Sequence, residues 1–175
     1  MQTRIAAVAL ALALGAGTGF AQTVTKPVVA GVTNFAKLDT TIACAGATTA
    51  SAVPEIKKMG YKAIINLRQP SEPGADIEGE AAAAKAAGIA YFSIPVNGAS
   101  PDPATVDQFL AAVAGAQPAV VHCASGQRAS AYWMIKRMVV DGWDAEKAGT
   151  EAAALGLTSP ALKTFALNYA ASHKK

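Results

Sequence analysis

The chain has little to do chemistry with. Among 175 residues there are two cysteines and two histidines, while aromatic residues make up 6% and charged residues 15%. Two cysteines cannot frame a disulfide mini-fold or complete a four-cysteine zinc site, and two histidines add little to either. A formal charge of +3 without a basic run is too weak to imply nucleic acid as a partner. No apolar stretch reaches the ~20 residues that a membrane helix requires. Charged and low-complexity runs are missing too, which excludes a disordered tail. The chemistry must rest on very few side chains.

What is present is apolar, at 52% of the residues with a mean hydropathy of +0.27. Part of that excess lies at the start. Met1 to Arg4 is basic, Ile5 to Leu14 is a run of ten apolar residues, and Gly19-Phe20-Ala21 places small residues around a cleavage point before Gln22. This pattern predicts a secretory signal peptide over 1–21 and export to the periplasm or the extracellular space. The mature chain, 22–175, then carries 14 basic and 12 acidic residues. Residues 22–33 read as a tether without period, 34–172 as one domain, and 173–175 as a tail. Both cysteines remain after cleavage, in an oxidising compartment.

Within the domain, short apolar runs alternate with helical patterns. Strands are expected at Thr41–Cys44, Lys62–Leu67, Ile89–Pro95 and Pro118–His122. Helices are expected at Val53–Met59, closed by Gly60, and at Ile77–Ala87, closed by Gly88. Asp102-Pro103 places a capping carboxylate before a proline at the first helical position of a helix running to Ala114. Further helices follow at Ala129–Asp141, at Asp144–Leu155, and from Ser159-Pro160 to Ser172. Strands separated by helices need crossovers, which predicts an α/β fold of three layers: a mostly parallel central sheet of four to five strands with helices on both faces.

One segment concentrates the chemistry. Ala119-Val120-Val121-His122-Cys123-Ala124-Ser125-Gly126-Gln127-Arg128-Ala129-Ser130 reads as a buried strand, a tight glycine loop and a helix start. Unpaired N–H groups and the positive end of the helix dipole make such a junction an anion site. A cysteine at its mouth has its thiolate favoured. Arg128 adds a planar fork that matches two oxygens of a tetrahedral anion. Cys123 is thus a candidate nucleophile toward phosphorus or sulfur, with Ala124, Ser125, Gly126, Gln127 and Arg128 holding the anion.

These residues resemble the cysteine-dependent, dual-specificity-like phosphatase superfamily. More narrowly, the chain is similar to the bacterial beta-lactamase-hydrolase-like phosphatase-like domain family, through Ile65-Asn66-Leu67-Arg68, Glu72, Tyr91-Phe92-Ser93-Ile94-Pro95-Val96 and the His122-Cys123 loop. The resemblance implies phosphomonoester hydrolysis through a phosphocysteine at Cys123. It implies no cofactor and no metal. His122 would point away from substrate and order the loop. The implied partner is a phosphorylated small molecule or phosphoprotein, without nucleic acid, without membrane after cleavage and without an evident protein partner.

Three departures keep alternatives open. Four residues separate Cys123 from Arg128, one fewer than in most dual-specificity phosphatases and equal to rhodanese-type sulfurtransferases, so a persulfide carrier using Cys123 is a second reading. The position where such phosphatases carry an acidic proton donor holds Asn97-Gly98. Asp102 is the nearest candidate acid, although an aspartate before Pro103 also reads as a helix cap, and Glu72 and Asp76 are alternatives. Ala129 stands where many phosphatases have a hydroxyl, with Ser130 one residue on, so a non-catalytic phosphate-binding module is a third reading. Cys44 is either a buried strand residue or a redox partner of Cys123, the latter by resemblance to other cysteine phosphatases. Arg68 is expected to pair with Glu72 or Asp76 and to support the site. Tyr132, Trp133 and Met134 read as core, while Lys136-Arg137 and Lys57-Lys58 read as solvated helix faces.

Overall fold

The computed structural model describes residues 23–39 and 41–173. The expected signal peptide over 1–21 lies outside them. Six strands, β1 (Val24–Thr25), β2 (Ala36–Leu38), β3 (Ile42–Ala45), β4 (Ala63–Asn66), β5 (Ala90–Ser93) and β6 (Ala119–His122), form one sheet in the order β1-β2-β3-β6-β4-β5. β3, β6, β4 and β5 are parallel neighbours, and β1 and β2 are added antiparallel at one edge. The sheet therefore has six strands, where four to five were expected. The two extra ones are two- and three-residue pieces too short to show a period. The 22–33 segment is also more than a tether. Val24 and Thr25 pair with Leu38 and Lys37, and Val29 is buried.

The helices are α1 (Val53–Lys58), α2 (Ile77–Ala87), α3 (Pro103–Gly115), α4 (Gln127–Val139), α5 (Ala145–Leu155) and α6 (Pro160–His173). Their ends follow local chemistry. Asp76, Asp102 and Asp144 accept hydrogen bonds from Gly79, Ala104 and Lys147 N–H, and Gly88 closes α2 at φ 68°. Among the described residues no helix is long and apolar enough to cross a membrane.

Alternation along the strands divides the interior into two layers. Ile42, Cys44, Ala63, Ile65, Ala119 and Val121 face the core shared with α3 to α6, whereas Ala43, Ala45, Ile64 and Val120 face α1 and α2. Every one of these residues is fully buried, the near-continuous apolar run of strands covered on both faces. The same alternation sends Cys123 to the α3–α6 side. It sends the even-numbered His122 and Asn66 to the other. At the carboxyl ends of the parallel strands the chain turns outward at Gly46, Leu67, Ile94 and Cys123, the edge where an open parallel sheet places its ligands.

Candidate active site

The β6–α4 loop is held by its carbonyls. Ala124 O accepts from Ala47 N–H at 2.9 Å, Ser125 O from Asn34 Nδ2 at 3.1 Å, and Gly126 O from Ser130 N–H at 3.0 Å. A side chain at Gly46 would collide with Thr33 Oγ1 and approach Ala124 O to 3.1 Å, so glycine lets the two backbones meet. Gly126, at φ 95°, turns the chain into α4 in a conformation that L side chains disfavour. With the carbonyls used outward, the N–H groups of Ala124, Ser125, Gln127 and Arg128 have no protein acceptor among the described residues. Gly126 N–H donates to Cys123 Sγ at 3.1 Å. Thiol, unpaired amides and helix N-terminus thus meet in one loop.

Arg128 is buried and fixed by groups from two loops, β4–α2 and β5–α3. Its Nη1 donates to Leu67 O at 2.9 Å and to Val96 O at 2.7 Å, and the Glu72 carboxylate takes both Nη1 and Nη2, at 2.5 and 2.7 Å. Burial works against the cation, but Glu72 and the nearby Cys123 sulfur outweigh it and raise the guanidinium further above its ordinary value. A guanidinium has five N–H bonds. These contacts leave the Nε–H and one Nη2 hydrogen available to an anion in the loop.

Glu72 cannot serve as the acid. Burial pushes its carboxyl up, but hydrogen bonds from Arg128 and from Gln69 N–H, with the charges of Arg128 and Arg68, hold it down at about 2. Asp76 is occupied as the cap of α2. Asp102 is exposed, and its Oδ1 accepts from Ala104 N–H at 2.9 Å, the capping role weighed against the acid role. Its neighbour Thr105 donates to Asp102 O at 2.6 Å and lies 2.5 Å from the Tyr132 hydroxyl, tying the start of α3 to α4. The Asn97-Gly98 turn packs directly on Arg128. A Cβ at Gly98 would lie 3.5 Å from Arg128 Cδ, and Asn97 Oδ1 is taken by Ala99 N–H.

The remaining expected site residues are dispersed around this centre. Arg68 does not reach the loop. Its Nη1 and Nη2 donate to Gly74 O at 2.8 Å and Pro73 O at 2.6 Å, and its Nε is 3.5 Å from Glu72, so it braces the turn that presents Glu72. Ser130 is buried with Oγ 3.0 Å from Gly126 O and 3.2 Å from Leu155 O, committed to backbone. Gln127 turns its side chain away from the loop, accepting from Thr158 and Ser159 N–H at 2.8 and 2.9 Å. Cys44 and Cys123 are both free and buried. Burial pushes the Cys44 thiol up to about 12, against the Ser130 hydroxyl and with added repulsion from Cys123.

His122 contacts a residue that sequence reasoning passed over. Its Nε2 lies 2.9 Å from Glu80 Oε2, both side chains are fully buried, and the ring N–H is not aligned for a straight hydrogen bond. Asn66 Nδ2 and the Tyr91 hydroxyl donate to the same Glu80 oxygen at 3.1 and 3.2 Å. Asn66 Oδ1 accepts from Arg68 N–H at 2.7 Å, which links this polar cluster to the Arg68 turn. Glu80 lies four residues before Ala84 on the buried face of α2, a burial that only the packed fold shows.

Arg137, read as solvated, is buried instead. It pairs with Glu151 at 2.7 Å and Asp141 at 3.0 Å, and its guanidinium lies 4.8 Å from the Trp133 ring and 4.3 Å from the Trp143 ring. Tyr132, Trp133 and Met134 are core, as expected.

Comparison with known proteins finds both a family and a fold. The family model of the beta-lactamase hydrolase-like protein, phosphatase-like domain, matches residues 34–140. A beta-lactamase hydrolase-like protein from Xylella fastidiosa (strain Temecula1 / ATCC 700964) is 42% identical over 90 residues, covering 49% of this chain and 20% of the relative. One from Agrobacterium fabrum is 32% identical over 104 residues, covering 57% and 24%. The chain thus spans a quarter or less of those relatives' lengths. Among solved structures, P. aeruginosa TpbA matches with TM-score 0.64 and 21% identity over 88% of this chain and 91% of that one. The core catalytic domain of the PP-IP phosphatase SIW14 from S. cerevisiae, in complex with citrate, matches with TM-score 0.62 and 16% identity over 83% and 87%. At these identities the structures establish a shared fold.

Proposed function

Since the chain belongs to the family of the phosphatase-like domain of beta-lactamase hydrolase-like proteins, we propose that it is a cysteine-dependent phosphoric monoester hydrolase working at Cys123. The observation that carries this is the loop itself: unpaired amides of Ala124, Ser125, Gln127 and Arg128, the free Nε edge of Arg128, and a sulfur that already accepts an N–H bond. A variant of TpbA has been crystallised with pTyr, an aryl phosphomonoester of the kind the loop would accept.

In the proposed reaction the Cys123 thiolate attacks phosphorus and the ester P–O bond breaks. The leaving oxygen takes a proton from Asp102 or water, giving a phosphocysteine. Water then attacks phosphorus, the P–S bond breaks, and inorganic phosphate and the thiolate are released. The amides and Arg128 bind the equatorial oxygens, where charge develops in the transition state. The expected leader over 1–21 supports action outside the cytoplasm. Reduced mature protein should release phosphate from p-nitrophenyl phosphate, with vanadate inhibition and an acid-stable phosphocysteine on rapid quench. No turnover from folded, reduced protein overturns the catalytic reading.

A second reading, a phosphate-binding module, is favoured by Ala129 and by Ser130 being committed to backbone carbonyls, so that neither of the two residues after Arg128 offers a hydroxyl to assist water. It predicts a rise in Tm with phosphate and no turnover. The persulfide reading predicts thiocyanate from thiosulfate and cyanide.

A further inference from the structure

Beside the loop lies a cavity of about 460 Å³ that none of these residue roles uses. The loop contributes Ser125 and Gln127, α5 and its cap contribute Leu155 and Gly156, and the outer wall is the 26–36 segment, including Lys26, Val28 and Asn34. Its size falls in the range of small-molecule sites.

The outer wall is fixed to the loop. Asn34, with left-handed φ 49°, donates from Nδ2 to Ser125 O at 3.1 Å, and Val32 bridges to Thr48. On the opposite side Gln127 is tied to Thr158 and Ser159. The cavity thus shares two residues, Ser125 and Gln127, with the anion loop.

The lining has a definite chemistry. Lys26 is the one charged residue in it, exposed and without an ion-pair partner among the described residues, and there is no carboxylate. Val28 is 101% exposed, so an apolar side chain stands entirely in water at the rim. Val32, Phe35, Ala36 and Leu155 continue that apolar surface. A polyphosphorylated ring needs several cations and gains nothing from valine. An apolar body with one further negative charge matches both features.

We propose that this cavity is a specificity subsite which seats the apolar part of a phosphomonoester substrate and places Lys26 against one additional carboxylate of that substrate. The proposal rests on the phosphatase reading for its anchor, the phosphoryl group in the loop. It makes the 26–36 segment the element that selects substrates.

The test compares phosphotyrosyl tripeptides that carry Glu or Lys next to the phosphorylated residue. In wild-type protein kcat/KM favours the acidic peptide, and in Lys26→Glu the acidic-to-basic ratio falls about tenfold, the scale of exchanging one exposed attraction for a repulsion. Val28→Ser raises KM for both peptides without reversing their order. Both positions are exposed, so folding is not at stake. An unchanged ratio in Lys26→Glu overturns the proposal, as does tighter competition by inositol hexakisphosphate than by the acidic peptide. A parallel titration with non-hydrolysable phosphonate versions of the two peptides separates the two claims. If p-nitrophenyl phosphate is not turned over but phosphonate binding still depends on Lys26, the subsite stands and the hydrolase reading falls. If p-nitrophenyl phosphate is hydrolysed and phosphonate binding ignores Lys26, the subsite falls alone.

Discussion

Helix α4 carries two buried arginines nine residues apart, and each pairs with a glutamate from another element, Glu72 from the β4–α2 loop and Glu151 from α5. Arg128, at the first turn, meets Glu72 and two carbonyls and keeps hydrogens to spare beside unpaired amides and a thiol. Arg137, in the last turn, meets Glu151 and Asp141 and lies against Trp133 and Trp143. Lys147 lies 3.9 Å from the other aromatic partner, Trp143, and extends that stack. A buried arginine–glutamate pair is therefore not in itself a site. At Arg128 the surrounding backbone is left unsatisfied, whereas at Arg137 the surroundings are aromatic and closed.

The comparison breaks most sharply under substitution of the arginines. Arg128→Ala should lower kcat/KM on aryl phosphates by about 10³-fold, the scale of losing a principal oxyanion donor, and Cys123→Ser should abolish turnover. Arg137→Met should leave kcat per folded molecule near wild type but cost about 3 kcal/mol in urea unfolding, because Glu151 is left buried without its partner. If the two variants exchange these phenotypes, the assignment of site and brace is wrong. Asp102→Asn sharpens the picture further, since asparagine caps a helix as well as aspartate. Stability should hold while hydrolysis of alkyl phosphates falls by about 10²-fold, and aryl phosphates, with better leaving groups, should suffer less.

Smaller effects are expected at Glu72. Its carboxyl is held at about 2 in the folded chain against an ordinary 4.5, so its contribution to stability is complete above pH ~4.5 and is lost as pH falls toward 2. Glu72→Gln should flatten that part of the Tm–pH curve and lower kcat/KM about tenfold, by loosening the orientation of Arg128. Smaller still is the contribution of Cys44. Under mild peroxide, wild-type activity should be recoverable by thiol reductant if Cys44 and Cys123 join as a disulfide, and Cys44→Ser should lose that recovery.

Much of this was legible because the chain punctuates its elements chemically. Asp102 before one helix, and Gly60 and Gly88 after two others, mark ends that depend on local hydrogen bonds and local φ. The Cys123-to-Arg128 loop was legible for the same reason, being one contiguous strand–turn–helix. What escaped is what distant residues settle. β2 exists because Ala36, Lys37 and Leu38 find Cys44, Ala43 and Ile42 across the sheet, not because three residues announce a strand. Glu80 looked like one more surface glutamate of an alanine-rich helix. It is buried because His122, Asn66 and Tyr91 come to it from β6, β4 and β5. The pairing of Glu72 with Arg128 escaped for a similar reason, since only the fold brings the two together and holds the carboxyl in the charged state.

The Gln127 side chain, which reaches past the loop to Thr158 and Ser159, sets an order of assembly. The loop takes its final shape from Asn34 on one side and the start of α6 on the other, partners 91 and 31 or 32 residues away. While the chain is being made, Cys123 emerges well before the turn that Gln127 must bind. The loop around Cys123 is therefore braced on that side only once the start of α6, the last helix of the described residues, is in place.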